Sequence, residues 1–223
     1  VAAMRHSQPD TVIALGGGSV LDAAKIVRLF YDYPELKISE IAVNFLDFHH
    51  RMIEFPKDMK TQLVAIPTTS GTGSEVTPFA VLKDGHRKIS LIDECLLPDV
   101  AIIDAHLTRS LPPDITGDTA FDALTHALEA LVSTFSSDYT DGLALEALRL
   151  IFESLPETLK NPNNVLYRHK LHNAATLAGM AIGNASVGVN HALAHALGAR
   201  FDIPHGRANG AFLLSTIEYN AQI

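Results

Sequence analysis

Two short stretches, Phe121-Asp-Ala-Leu-Thr-His126 and Asn190-His-Ala-Leu-Ala-His195, each carry two possible metal ligands four residues apart. In a helix that spacing stacks both side chains on one face, one turn above the other, within reach of a single ion. Glu129 shares the face of Asp122 and His126, and Pro204-His205-Gly206 offers a further imidazole from a turn. One carboxylate with two or three imidazoles is a borderline-hard donor set that suits Fe²⁺ or Zn²⁺; calcium asks for more oxygens and copper(I) for sulfur. Taken singly, Asp122 with His126 also fits a buried hydrogen-bonded pair, and His191 with His195 fits satisfied core histidines. Two such faces plus His205 in one chain favour a catalytic metal. His106, His169 and His172 lack a partner of this kind and read as structural or surface groups.

The elements that position these residues form two kinds of sequence. In the first half, Thr11-Val-Ile-Ala-Leu15 reads as a buried parallel strand running into Gly16-Gly-Gly-Ser19 and then a helix from Val20 to Phe30. Strand, glycine loop and helix aim backbone N–H groups and a helix dipole at a phosphate. Leu21 stands where Gly-x-Gly-x-x-Gly would place its last glycine, and Lys25 comes too late for a Walker loop. Gln62-Leu-Val-Ala-Ile66 reads as a second strand, followed by Pro67-Thr-Thr-Ser-Gly-Thr-Gly-Ser-Glu75, a loop rich in hydroxyl and amide donors. Each loop alone also fits a plain polar turn; two on consecutive strands reinforce each other. Phe79–Leu82 and Ile89–Ile92 flank Lys83-Asp-Gly85 as a hairpin, and Pro98–Asp104 reads as another buried strand. His49 and His50, beside Arg51, read as solvated. After Leu111-Pro-Pro-Asp114 the strand signals stop and helical periodicity takes over, at 115–135, 139–155, 165–182 and 189–197. The expected division is an α/β part over 1–113 and an all-helical part over 114–223.

The 223 residues are 47% hydrophobic and 19% charged, an ordinary globular composition. A net charge of -8 disfavours nucleic acid and anionic membrane as partners. The single Cys95 suits a reducing cytoplasm, and no apolar run has the length of a membrane span.

Together the motifs resemble the iron-dependent (group III) alcohol dehydrogenases. The resemblance is carried by Gly16–Ser19 with Asp22-Ala-Ala-Lys25, by Pro67–Thr77, by Asp122-Ala-Leu-Thr-His126, and by His191-x3-His195 with Pro204-His205-Gly206, in the family's order. The stretch from Phe45-Leu-Asp47 to Phe55-Pro-Lys57, and Thr77–Val81, look especially like the alcohol dehydrogenase part of bifunctional aldehyde–alcohol dehydrogenases.

The resemblance implies a dehydroquinate synthase-like fold, an α/β NAD-binding domain followed by an all-helical metal-binding domain. It implies Fe²⁺ (or Zn²⁺) on Asp122, His126, His191 and His205, with His195 a non-ligand facing nicotinamide or substrate. It implies NAD on Gly17, Gly18 and Ser19, with Thr68, Thr69, Thr77 and Lys88 as further contacts, and a substrate pocket at Phe79 and Val187. The implied reaction is hydride transfer between NAD(H) and a short-chain primary alcohol or aldehyde, ethanol and acetaldehyde being favoured. The implied protein is a homo-oligomer, a filament if it belongs to a bifunctional enzyme. The family's first strand and the acidic residue that reads the adenosine ribose lie N-terminal to Val1, and its helices continue past Ile223, so the chain reads as a fragment. Two other readings compete: a dehydroquinate-synthase-like sugar-phosphate cyclase, which needs a Lys/Arg cluster near the ligands, and a non-catalytic metal-binding helical protein.

Overall fold

A computed structural model describes residues 1–41, 55–84 and 87–222. His49, His50 and Phe45–Asp47, together with Gly85 of the hairpin turn, lie outside the described residues. The chain divides into two compact units, one of residues 1–67 with 74–102, the other of 68–73 with 103–223.

In the first unit, β1 (Thr11–Gly16) and β2 (Gln62–Pro67) pair in parallel, Thr11 opposite Gln62 through Gly16 opposite Pro67. A two-residue β5 (Val100–Ala101) extends the sheet in the order β1-β2-β5. A short α1 (Ala2–Ser7) precedes the sheet, and α2 (Gly18–Asp32) and α3 (Ile38–Ile41) follow β1. β3 (Phe79–Asp84) and β4 (Arg87–Ile92) form the expected antiparallel hairpin, Ala80 opposite Leu91. α2 has two working faces. Leu21 packs with Ala14, Leu63 and Ala65 of the sheet. Ile26 and Leu29 pack with Ala80, Leu91, Cys95 and Leu96 on the hairpin side. An apolar stripe that serves two layers leaves Lys25, Arg28 and Asp32 buried as well, each with partners: Asp32 accepts from the Thr61 hydroxyl, and Arg28 pairs with Asp99 at 3.1 Å.

Two strand expectations need correction. β1 is buried on one face alone: Ala14 is 4% exposed, but its neighbours Ile13 and Leu15 are 68% and 55% exposed. Side chains alternate across a strand, so α2 shields every second residue of this apolar run. Pro98–Asp104 is not a buried strand; it pairs only at Val100 and Ala101, both exposed, before Asp104 caps a 3₁₀ turn at Ala105–Thr108 by accepting from the His106 N–H.

The second unit is helical, with α4 (Pro113–Val132), α5 (Asp138–Lys160), α6 (Val165–Ala185), α7 (Val189–Phe201) and α8 (His205–Asn220). Pro112–Asp114, the expected boundary, opens α4, with Pro113 at the first helical position, where a missing N–H costs nothing. α4 packs on α5, α6 and α8 through small side chains, Ala120, Ala123, Ala127 and Ala130 being fully buried. A capping box of Ser137 and Thr140 starts α5, which continues through Pro156 to Lys160, beyond the expected end. Ser154 and Thr158, on either side of the proline, donate to the carbonyls four residues back, those of Leu150 and Ser154. Arg168 of α6 is 1% exposed and donates to the carbonyls of Pro162 and Leu111 and to the Thr116 hydroxyl. The loop 68–73 lies over α6. Ser70 hydrogen-bonds His172 at 3.0 Å, and Gly73, at φ 61°, sits where a Cβ would be 2.5 Å from the Gly179 Cα.

Candidate metal centre

Asp122 projects from the middle of α4 and is 3% exposed. Its Oδ1 is the common neighbour of three imidazole nitrogens: His205 Nε2 at 3.6 Å, His191 Nε2 at 3.7 Å and His126 Nε2 at 3.9 Å. Potential ligand atoms of Asp122, His191 and His205 all lie within 4.8 Å of one another. His126 comes from the same helix, one turn on, and its ring stacks on His191 at 4.6 Å. His191 enters on the first turn of α7. His205 is the first residue of α8 rather than part of a free turn, so the helix start fixes its approach. The fourteen-residue gap from His191 is filled by the rest of α7 and a short reversal at Asp202, which has the left-handed φ of 56°.

The chemistry of this donor set fits a divalent cation. Burial favours the neutral acid at Asp122, but the imidazoles of His126, His205 and His191 outweigh it and hold the carboxyl well below the usual range. Burial pushes His126 down to about 4, so the ring is neutral near pH 7. Its buried Nδ1 has no hydrogen-bond partner among the described residues, while Nε2 faces the carboxylate. Burial also opposes charge on His191, but the neighbouring carboxylates of Asp122 and Glu129 prevail and raise it to about 9. Glu129 Oε2 accepts from His191 Nδ1, which turns Nε2 towards the cluster, where a cation would take the place of its proton; this carboxylate–histidine pairing is the usual support for a ligating imidazole.

His195, one turn after His191, is half-buried with its ring 4.8 Å from that of His205. The other predicted site residues fall as follows. Gly17 is the N-cap of α2, Gly18 its first residue and Ser19 lies exposed in its first turn. Thr77 is buried, and its carbonyl accepts from Lys25 Nζ at 2.8 Å; the carbonyl of Phe79 accepts from the same nitrogen at 2.6 Å. Lys88 is half-buried on β4. In the helical unit, Thr68 and Thr69 are half-buried at the start of the loop over α6, and Val187 lies between α6 and α7.

Sequence reasoning missed Asn190, Asn209 and Thr216, which are buried around the histidines. A His205–Asn209 pair at helical spacing was the available signal. It was lost because 204–206 read as a turn. Five basic residues of the helical unit that could serve the Lys/Arg cluster of a sugar-phosphate cyclase have other partners. Arg168 is spent within the core, Arg207 pairs with Asp118, Arg149 with Glu146 and Glu153, Lys160 with Glu157 and Lys170 with Glu153.

Residues 1–105 match the model of the iron-containing alcohol dehydrogenases, and residues 116–223 match the model of the C-terminal part of the Fe-containing alcohol dehydrogenase family. An aldehyde-alcohol dehydrogenase of Streptococcus pneumoniae is 50% identical over 220 residues, 97% of this chain and 25% of that protein. The 1-propanol dehydrogenase PduQ of Salmonella typhimurium is 44% identical over 225 residues, all of this chain and 55% of that protein. The iron-containing alcohol dehydrogenase of Thermococcus thioreducens superposes with a TM-score of 0.91 at 39% identity, over 99% of this chain and 57% of that one. The sulfoacetaldehyde reductase of Bifidobacterium kashiwanohense, in complex with NAD⁺, superposes with a TM-score of 0.86 at 32% identity, over 98% and 56%. The chain thus spans a quarter to just over half the length of these relatives. Two models of a single family match successive parts of it, in order and nearly end to end, so the chain belongs to the iron-containing alcohol dehydrogenase family.

Proposed function

We propose that this protein is a metal-dependent oxidoreductase that transfers hydride between NAD(H) and a short-chain primary alcohol or aldehyde, with ethanol and acetaldehyde the favoured pair. The observation that carries the reading is the convergence of three Nε2 atoms on the buried Asp122 Oδ1 within the helical unit. Asp122, His126, His191 and His205 would hold Fe²⁺, or Zn²⁺, which the same donors accept. A cation there supplies Lewis acidity, which favours loss of the hydroxyl proton. NAD supplies the hydride acceptor and, when reduced, the donor.

The chain's own residues do the rest. Glu129 keeps the His191 ring turned with Nε2 inward. His195, beside His205 but outside the carboxylate cluster, takes up the alcohol proton in this reading. Gly17, Gly18 and Ser19 offer the N–H groups of a helix start to a diphosphate. Thr68, Thr69, Thr77 and Lys88 are assigned to cofactor contacts, and Phe79 and Val187 to the substrate pocket. The names of the relatives, aldehyde–alcohol and 1-propanol dehydrogenases, support the substrate class, and the NAD⁺ in the sulfoacetaldehyde reductase supports the cofactor. We assign the protein to the cytoplasm as a homo-oligomer, filamentous if it is part of a bifunctional enzyme. Among the described residues no helix is long and apolar enough to cross a membrane.

Metal analysis of the full-length protein, run beside NADH oxidation on a panel of short aldehydes, tests the proposal. One tightly bound Fe or Zn per chain and turnover of acetaldehyde are expected, with both lost in Asp122→Ala and His205→Ala. Undiminished turnover by either variant when it holds no metal refutes the assignment.

A further inference from the structure

Asn209 lies one turn after His205 on α8 and is completely buried. Its Nδ2 is 2.7 Å from Asp122 Oδ1, 3.2 Å from His191 Nε2 and 3.5 Å from His205 Nε2. The two ends of an amide have nearly the same shape, so its orientation must come from its partners. Here the partners decide it. The backbone carbonyl of Asn209 can only accept, and the near end of the Asn190 side chain lies 3.2 Å from it, so that end is the nitrogen. The same nitrogen reaches the Asn209 side chain at 3.0 Å and requires an acceptor there, Oδ1. Asn209 Nδ2 is thereby turned towards Asp122. The far end of Asn190, Oδ1, accepts from the Thr216 hydroxyl at 2.9 Å. Hydrogen-bond donation therefore runs from the Thr216 hydroxyl through the buried amides of Asn190 and Asn209 to the carboxylate oxygen around which the imidazoles gather.

We infer that Asn209 is a positioning residue of the metal centre, held by Asn190 and Thr216, whose amide fixes Asp122 Oδ1 and keeps the His191 and His205 Nε2 atoms gathered about it. The inference rests on the metal centre of the proposed function. A buried carboxylate is costly without hydrogen-bond donors, and Asn209 supplies one to Oδ1 at 2.7 Å. The amide hydrogens bring partial positive charge to that point. A cation then meets side chains already in place, and less of its binding energy goes into ordering them.

Full-length protein stripped by a chelator and titrated with Co²⁺ tests this, with the dissociation constant read by chelator competition and the site by its visible absorption. Asn209→Leu, close in volume and without a donor, is expected to weaken Co²⁺ binding by about 10–100-fold while still saturating at one ion per chain. Its saturated spectrum should differ from the parent's, a change that loosened packing elsewhere would not produce. Thr216→Val leaves Asn209 in place but takes the hydroxyl donor from Asn190 Oδ1, loosening the amide that holds Asn209, and should weaken binding by a smaller factor. It decides the matter alone if the leucine variant does not fold. Affinity within about twofold of the parent in the folded variants, set against the larger losses usual for outer-shell partners, overturns the inference. Asp122→Ala separates the two levels. If that variant loses Co²⁺ while the positioning variants bind like the parent, the metal centre stands and the role of Asn209 falls. If Asp122→Ala still binds one ion like the parent, both fall.

Discussion

Glu129 of α4 and His191 of α7 are joined by a 2.5 Å hydrogen bond in which Nδ1 donates to Oε2. The other carboxylate oxygen accepts the backbone N–H of Asn190 at 2.6 Å. One side chain thus caps the start of α7, where N–H groups lack helical partners, and sets the ring orientation of a ligand on that same turn. Burial pushes the Glu129 carboxyl up, but the bond from His191 and the N–H groups of Gly188 and Asn190 hold it below its ordinary value.

Glu129→Gln keeps the shape and removes one acceptor, so either the ring N–H or the Asn190 N–H meets an amide donor. Metal affinity is expected to fall by about 10–100-fold in chelator competition. Stability in urea should drop by about 1–3 kcal/mol at neutral pH. Because the folded-state carboxyl is depressed, its contribution is full above the ordinary value of 4.5 and is lost as pH falls through the lower folded value. The gap between parent and variant should therefore narrow below pH 4.5.

Much of this was legible in the chain. Four-residue spacings placed Asp122 with His126 and His191 with His195, and hydroxyl- and glycine-rich loops followed β1 and β2 as periodicity required. Local patterns fail where a role depends on distant partners. Asn190 and Asn209 look like unremarkable helix residues, and only the packing of α7 on α8 brings their amides together. Arg168 resembles a surface cation until its three acceptors, two of them more than fifty residues away, are counted. Ile13 and Leu15 promised burial by type, yet strand alternation gave the covered face to Ala14.

Gly206→Ala should disturb both the fold and the metal. A Cβ at this position would stand 1.7 Å from the carbonyl oxygen of Asp118 and 2.6 Å from its carbon, backbone atoms of α4 that cannot swing aside. α8 must then back away from α4 and take the adjacent His205 with it. The expected cost is at least about 1–3 kcal/mol in urea, as for an overpacked core, with less metal retained per chain. Gly117→Ala, also on α4, is the control. Its Cβ would meet nothing within 4 Å, and the variant should be as stable as the parent or up to about 1 kcal/mol more so.

Arg168→Met should destabilise without touching the metal. The guanidinium is 1% exposed and satisfies the Leu111 and Pro162 carbonyls and the Thr116 hydroxyl, which methionine cannot do. Leaving such acceptors buried costs about 2–4 kcal/mol, to be read from the urea midpoint of the metal-loaded protein. The Co²⁺ dissociation constant of the folded variant should match the parent's. A matched midpoint instead would mean that Arg168 is not held in the core.

Lys25 gives a pH dependence of opposite sign to that of Glu129. Its ammonium is 1% exposed and straps the Thr77 and Phe79 carbonyls onto α2. Burial lowers its pKa from 10.5 to about 8, against the pull of Asp22 and Glu75. Below that range the lysine is protonated in the folded and unfolded chain alike and contributes no slope. Between about 8 and 10.5 the unfolded chain holds more protons, so this residue makes stability rise with pH, by a ceiling on the order of 3 kcal/mol. Lys25→Met removes the titrating group and should lack the rise, whatever its absolute stability. Urea midpoints of parent and variant at pH 8 and pH 10 provide the check, because other groups that titrate in this interval are common to both and cancel in the comparison. A parent that loses stability relative to Lys25→Met over the interval would mean that the folded protein favours the charged lysine, with the Asp22 and Glu75 attraction outweighing the cost of burial.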